Sequence, residues 1–503
     1  MLIFLKEPQE RPLKKISPYS RRGNLRECVK KSYLGIFMHF YCILDIGILA
    51  YDDNILFRRH FMDTEKKLSL PFSVILVISA AVFSGHFGVG DTIFPAILGR
   101  STGSQWLVAA IGYGIINSLM VLLAYLAISR QNASLYGLTS KIFGKGFATA
   151  YTVIAVLIMG PVFILPRVSS ATHEMAVVQF FPSIPIWLTL LIYFVLNFYF
   201  AYNRSKVIDK LGKYLAPALI VFMIILVIKG ILTPLSSVPS TGSPSAFSDG
   251  ILNGYNTMNA LGALIFGIWI INELKRRGIE DEKSRSFNIA TIGIFASIAL
   301  FLTSLGLTYL GASSGSLFPE AQIGDLSVKI AEGLLGSFGK LVFALIIALA
   351  CFTTSVGLTS AAGDTFEQMS GGKIHYKITV AASSVIGFLL GLIGLSKIVG
   401  YTVPWLMLIY PATVVVIIMS LFSDFSKVKL ATQAGVVIAI FFSVGDFLAG
   451  LGFPNTPFST LNAAMPLGKQ GLAWLTPSVA AIVIFQIIVM IRKPKSEGQQ
   501  KTK

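Results

Sequence analysis

The chain has 503 residues, of which 54% are apolar and only 13% charged, with a mean hydropathy of +0.73. A soluble chain carries roughly 25% charged residues, and the apolar residues here cluster in runs of about 20, the length that crosses roughly 30 Å of hydrocarbon, so a soluble protein is excluded. The net charge of +17 does not indicate nucleic acid: the basic residues sit in short connections and at both ends, where the positive-inside rule accounts for them.

Residues 1–61 are basic and hold one imperfect apolar patch, Leu34 to Tyr51, with His39 and Asp45 inside it and no small-residue cleavage site. Met62-Asp-Thr-Glu-Lys-Lys reads as a natural bacterial start, so 1–61 is expected to be an extension from an upstream start; an extra membrane segment is the alternative. From Leu68 onward the hydropathy pattern predicts about twelve helical spans. The first six are 69–98, 105–128, 146–168, 184–202, 214–232 and 251–272; the second six are 287–311, 337–362, 376–395, 398–422, 430–450 and 472–491. The first is too long for one straight crossing, which fits a helix with an unwound middle. The layout divides into five helices over 62–232, five over 251–422, two more over 430–491 and a tail, 492–503.

One set of connections carries Arg130, Lys141 and Lys145; Arg204, Lys206, Lys210 and Lys213; and Lys275, Arg276, Arg277, Lys283 and Arg285. Later members carry Lys373 and Lys377, then Lys427 and Lys429, and the tail has Arg492, Lys493 and Lys495. The opposite connections are nearly free of base. Both termini are therefore expected on the cytoplasmic side of a bacterial inner membrane. The longest outer connections, Thr233 to Gly250 and Ala312 to Gly336, read as plain connectors, with lids as the alternative. Cys28, Cys42 and Cys351 match no metal spacing and suggest no disulfide framework; Cys351 reads as a small buried residue.

The first span holds the most informative run, Gly85-His86-Phe87-Gly88-Val89-Gly90-Asp91-Thr92. Glycines ease departure from helical dihedrals, and a lone acid at membrane depth is functional by default. Unwinding frees carbonyls that hold a cation, and amides at a half-helix N-terminus that hold a carboxylate. Close helix packing through small residues is the plainer reading; it explains Gly88 and Gly90 but not Asp91.

The sixth span has a matching irregularity, with Asn253, Asn256, Thr257 and Asn259 in an otherwise apolar helix. These groups suit a small polar ligand, and breaks at corresponding places in two halves point to a transporter centre. Interhelical hydrogen bonding is the alternative. In the eighth span, the hydroxyls of Thr353 and Thr354 are candidate hard oxygen ligands for a cation, although such residues commonly bond their own helix. In the third span, Pro161 and Pro166 should kink the helix. Arg167 after them is read as structural, buried against a carboxylate or carbonyl or reaching the outer interface. There is no P-loop, HExxH or GxSxG in a plausible setting, so ATP-driven pumping and membrane proteolysis gain no support.

At these motifs the chain resembles the bacterial branched-chain amino acid:cation symporters, the LIVCS or BrnQ-type family of the amino acid-polyamine-organocation superfamily. The resemblance covers about residues 62–490 and rests on GVGDTIFPAILG in the first span, GPVFILPR at 160–167, GYNTMNALGALIFG at 254–267 and CFTTSVGL at 351–358. It implies an all-α, LeuT-like inverted repeat of five plus five helices, two C-terminal helices, and helices 1 and 6 broken. It also implies uptake of leucine, isoleucine and valine with sodium, a proton being the alternative coupling ion, and no enzymatic activity.

By analogy, Phe87, Gly88, Val89, Gly90 and Asp91 with Tyr255, Asn256, Thr257, Met258 and Asn259 surround the substrate. Gly85, Gly88, Asp91, Thr353 and Thr354 surround the sodium ion. The expected partners are the amino acid and the bilayer; no further cofactor and no nucleic acid are expected. Two positions depart from the family pattern: Asp91 stands for an asparagine, and Asn259 for an aspartate. If the breaks face one another, the site keeps a single carboxylate. A proton-coupled or exchange-type carrier of another neutral amino acid is the alternative. A channel is disfavoured by two unlike broken helices, and a membrane enzyme by the lack of a cluster of acids and histidines.

Overall fold

The computed structural model describes residues 70–203, 207–422 and 425–492, and their regular elements are all helical. The amino-terminal extension with Cys28, His39, Cys42 and Asp45 lies outside the described residues, as do Arg204, Lys206, Lys493 and Lys495 and the side chains of Lys210, Lys213 and Arg492.

The first predicted span is two helices, α1 (Phe72–His86) and α2 (Val89–Thr102), bent by 69° at Phe87-Gly88. α3 (Trp106–Gln131) widens into a π turn at Ile115–Leu119. The short α4 (Leu135–Phe143) starts at Ser134, whose hydroxyl accepts the Gly137 N–H at 3.1 Å. α5 (Lys145–Val177) kinks where Gly160 (φ −116°, ψ −115°) leaves helical dihedrals ahead of Pro161. A proline ring clashes with the carbonyl four residues back and offers no donor, so the kink falls where the sequence placed it. α6 (Ile186–Tyr202) and α7 (Val207–Leu232) complete the first half.

The sixth span is α8 (Ala246–Tyr255) and α9 (Asn259–Arg276), interrupted at Asn256, Thr257 and Met258; Met258 sits at φ +60°. α10 (Glu282–Ala312) starts at Asp281, which accepts the Ser284 N–H at 2.8 Å. α11 (Asp325–Met369) runs through a sharp break at Gly336, φ +65°. α12 (Tyr376–Gly391), α13 (Leu395–Met419), α14 (Phe425–Gly450), the short α15 (Pro457–Ala464) and α16 (Leu475–Arg492) follow.

Among the described residues, six helices are long and apolar enough to cross a membrane, or eight if each bent pair is one span. Four shorter apolar helices, Ile186–Tyr202, Pro217–Leu232, Tyr376–Gly391 and Leu475–Ile491, lie at the other predicted spans. This is a multi-pass membrane protein. One connection differs from expectation. Ala312 to Gly336 is not a plain connector: its second half is helical from Asp325, with Leu326, Val328, Ile330 and Ala331 buried. Ser327 there donates to the Thr92 carbonyl of α2 at 2.7 Å. Polar residues interspersed along this turn hid its buried face from a hydropathy reading.

Both broken helices are held by backbone contact with a neighbour. A Cβ on Gly99 of α2 would fall 1.8 Å from the Thr308 carbonyl oxygen of α10, and one on Gly311 would fall 2.0 Å from that of Ala96. Likewise a Cβ on Gly250 of α8 would lie 2.1 Å from the Ala109 oxygen of α3, and one on Gly112 would lie 2.2 Å from that of Phe247. Small residues permit such approach where lipid supplies no hydrophobic drive. The two pairings hold α2 and α8 and so position the breaks.

Candidate functional site

The breaks lie against one another. At the first, Gly88 is extended (φ −120°, ψ −162°), and its N–H donates to Asp91 Oδ2 at 3.2 Å. The carboxylate thus closes the exposed start of α2, where unpaired amides and the helix dipole favour negative charge. The other oxygen, Oδ1, accepts Asn259 Nδ2 from the start of α9 at 2.9 Å. The same nitrogen donates to Asn117 Oδ1 in the π turn of α3 at 2.7 Å. All three side chains are buried. At the second break the Asn256 carbonyl accepts Arg167 Nη1 at 2.7 Å. Arg167 therefore takes the buried carbonyl option and does not reach the outer interface; it is only 3% exposed.

A cavity of about 30 Å³ lies among these groups. Of the predicted residues, Gly85, Gly88, Val89, Gly90, Asp91, Thr257, Asn259 and Thr354 line it. Phe87, Tyr255, Asn256, Met258 and Thr353 do not. Phe87 stacks on Phe83 with ring centroids 5.2 Å apart, and Tyr255 on Tyr410 at 4.6 Å. Met258 is fully buried. Asn256 reaches the site only through its carbonyl. Thr353 Oγ1 donates to the Ala350 carbonyl of its own helix at 3.0 Å, whereas Thr354 Oγ1 is buried with no hydrogen-bond partner. One turn of α11 thus points these two neighbours in different directions.

The cavity is also lined by His86, part of the run that marks the first span, and by Met159, Ile164, Phe266 and Leu358; none of the five was named as a substrate or cation residue from the sequence. His86 Nε2 lies 2.5 Å from the Tyr125 hydroxyl. Asn117 was missed too, although a lone asparagine in an apolar span is itself a signal. Among the described residues no group of three or more His, Cys, Asp or Glu is placed to hold a metal ion. Any cation here would meet one carboxylate, a hydroxyl and backbone oxygens, a hard set without thiolate or clustered imidazole.

A family profile described as "Branched-chain amino acid transport protein" matches residues 72–492. The chain belongs to this family. It is 31% identical over 444 residues to the branched-chain amino acid permease BraB of Bacillus subtilis, covering 86% of this chain and 99% of that one. It is 30% identical over 418 residues to the branched-chain amino acid transport system 2 carrier protein of Pseudomonas aeruginosa, covering 82% and 94%. Among solved structures, the fold resembles that of Mhp1, a nucleobase-cation-symport-1 family transporter. That match was made in a closed conformation with bromovinylhydantoin bound (TM-score 0.57, 14% identity, 83% of this chain and 92% of that one). It also resembles a Na+-coupled sialic acid symporter in a substrate-bound outward-open state (TM-score 0.52, 12% identity, 82% and 89%). The chain is a membrane transport protein built on the fold these structures share.

Proposed function

We propose that this protein imports leucine, isoleucine and valine together with a cation, sodium, by alternating access across the bacterial inner membrane. The observation that carries the reading is the contact between the two breaks, Asp91 to Asn259 at 2.9 Å, inside a chain whose relatives are named as branched-chain amino acid permeases and carriers. In this reading the helices form twelve spans, an inverted repeat of five plus five with two more, and both termini are cytoplasmic. Asp91 sits by the bound cation or the substrate ammonium group. Thr354 and the last-turn carbonyls of α1 around Gly85 complete a hard oxygen shell for the ion.

The apolar side of the pocket is assigned to Met159, Ile164, Phe266 and Leu358. Burying a leucine side chain is worth about 1.5–3 kcal/mol. Such a surface favours leucine over alanine but separates valine from isoleucine weakly, by about 1–3 kcal/mol per methylene. A cavity of 30 Å³ has room for about one water, far less than the cavity of about 150 Å³ known to hold benzene. In this reading substrate entry requires the breaks to part.

The test is uptake of labelled leucine into proteoliposomes. Accumulation above the outside concentration under an inward sodium gradient, abolished when that gradient is dissipated, is expected. Accumulation under a proton gradient alone would replace sodium by the proton. Equilibration without accumulation would mean a passive pathway.

A further inference from the structure

Arg167 is buried at membrane depth on α5 and lines the same cavity as Asp91. Its Nη1 donates to the Asn256 carbonyl at 2.7 Å, and the Phe94 ring centroid lies 5.8 Å from its guanidinium carbon. Its Nε is buried with no partner. The ion pairs found among the described residues join Glu273 to Arg276 and Arg277, and Glu332 to Lys340; none involves Arg167. A guanidinium carries five donors in a rigid fork, and withdrawing it from water is unfavourable unless a matching anion is met. One carbonyl and one aromatic ring leave much of that fork unmatched.

The surroundings keep this charge available. Gly90 makes room for it: a Cβ there would lie 3.3 Å from Arg167 Nη2 and 3.2 Å from Thr257 Cα. Asp91 makes no direct ion pair with it: the Gly88 amide and the Asn259 side chain engage the two carboxylate oxygens, and the opposite charges act on one another only across the cavity. One cavity is thus lined by a fixed acid and a fixed base, each held by neutral partners and not paired with the other. A zwitterion presents the complementary pair of charges.

We propose that Arg167 binds the carboxylate of the amino acid substrate through its guanidinium fork, with Asp91 facing the ammonium group. The assignment rests on the transport reading above and adds a substrate-binding residue from the third predicted span. It makes the carboxylate a required feature of the ligand. A planar fork accepts a carboxylate through two parallel hydrogen bonds, which an alcohol cannot match.

The experiment is a direct binding titration of the purified full-length protein, in sodium-containing buffer, with leucine and with leucinol, whose hydroxymethyl group replaces the carboxylate. Wild type is expected to prefer leucine by about ten- to a hundredfold, the range for a hydrogen bond to a charged group. Arg167→Gln should bind leucine as weakly as leucinol while its leucinol affinity stays within about threefold of wild type. Arg167→Lys should fall between them. An unchanged preference for leucine in Arg167→Gln overturns the assignment, and so does an equal loss of both ligands, which marks a structural role. If Arg167→Gln does not purify as a folded protein, Arg167→Lys decides alone: a preference equal to wild type overturns the proposal. Wild type that binds no leucine defeats the transport reading itself, an outcome distinct from failure of the Arg167 assignment.

Discussion

Asp91 concentrates the unusual chemistry of this chain in one carboxylate. It caps α2 through the Gly88 N–H and reaches Asn259 across the breaks. Removing its charge leaves the amide cap weakened and the Asn259 donor facing a neutral group. Hydrogen bonds to charged groups contribute about 1.5–3 kcal/mol, so Asp91→Asn is expected to lower leucine uptake about ten- to a hundredfold in proteoliposomes. The double change Asp91→Asn with Asn259→Asp restores one carboxylate to the same contact and should exceed both single variants. A double variant no better than either would refute the idea that the two positions share one acid.

Thr354 and Thr353 offer a second comparison at this scale. Thr354 Oγ1 is buried and unpartnered at the cavity, while Thr353 Oγ1 bonds its own helix. Thr354→Val should raise the sodium concentration for half-maximal uptake about tenfold, the effect of roughly 1.4 kcal/mol. Thr353→Val should leave it nearly unchanged. Sodium dependence equal in both variants would remove Thr354 from the ion shell.

At the scale of elements, the broken helices owe their placement to glycine-mediated backbone contact. α8 meets α3 where a Cβ on Gly250 would fall 2.1 Å from a carbonyl oxygen. That obstacle is backbone and cannot rotate away, so Gly250→Ala must push the helices apart. Overpacking typically destabilises by about 1–3 kcal/mol. The variant should melt at a lower temperature in detergent than wild type and transport more slowly. Gly400 in α13, where an added Cβ meets nothing within 4 Å, is the control: Gly400→Ala should melt like wild type. The breaks themselves differ in kind. The first rests on glycine and a capping acid, while the second places Met258 at φ +60°, a conformation a side chain rarely adopts and which neighbouring packing must impose.

For the whole molecule, the distribution of basic residues implies which connections face the cytoplasm. Ser240, in the connection before the sixth span, and Lys283, in the first turn of α10 after it, are both exposed. In a background with Cys28 and Cys42 replaced by serine, Ser240→Cys in intact spheroplasts should react with a membrane-impermeant maleimide. Lys283→Cys should react only after permeabilisation. The reverse pattern would invert the topology. Cys351 is fully buried, so it should add little background.

The sequence by itself determined where apolar helices form, the break in the first of them, the kink ahead of Pro161 and the small set of polar groups within those helices. These are local properties: a run of apolar residues, a glycine cluster or a proline acts on its own stretch of chain whatever surrounds it. Tertiary structure decided which of those groups meet. Thr353 and Thr354 are chemically alike, and only the orientation of α11 in the bundle points one hydroxyl at the cavity. Phe87, Tyr255 and Met258 sit beside the breaks in sequence, yet their side chains pack into the core. Arg167 read as structural, with a carboxylate, a carbonyl or the outer interface all open as its partner; packing sets its fork beside Gly90 and Asn256. Asp91 and Asn259 are 168 residues apart, and their contact exists because two broken helices are clamped to different neighbours through backbone approach. Such a juxtaposition depends on long-range packing, which no local pattern records.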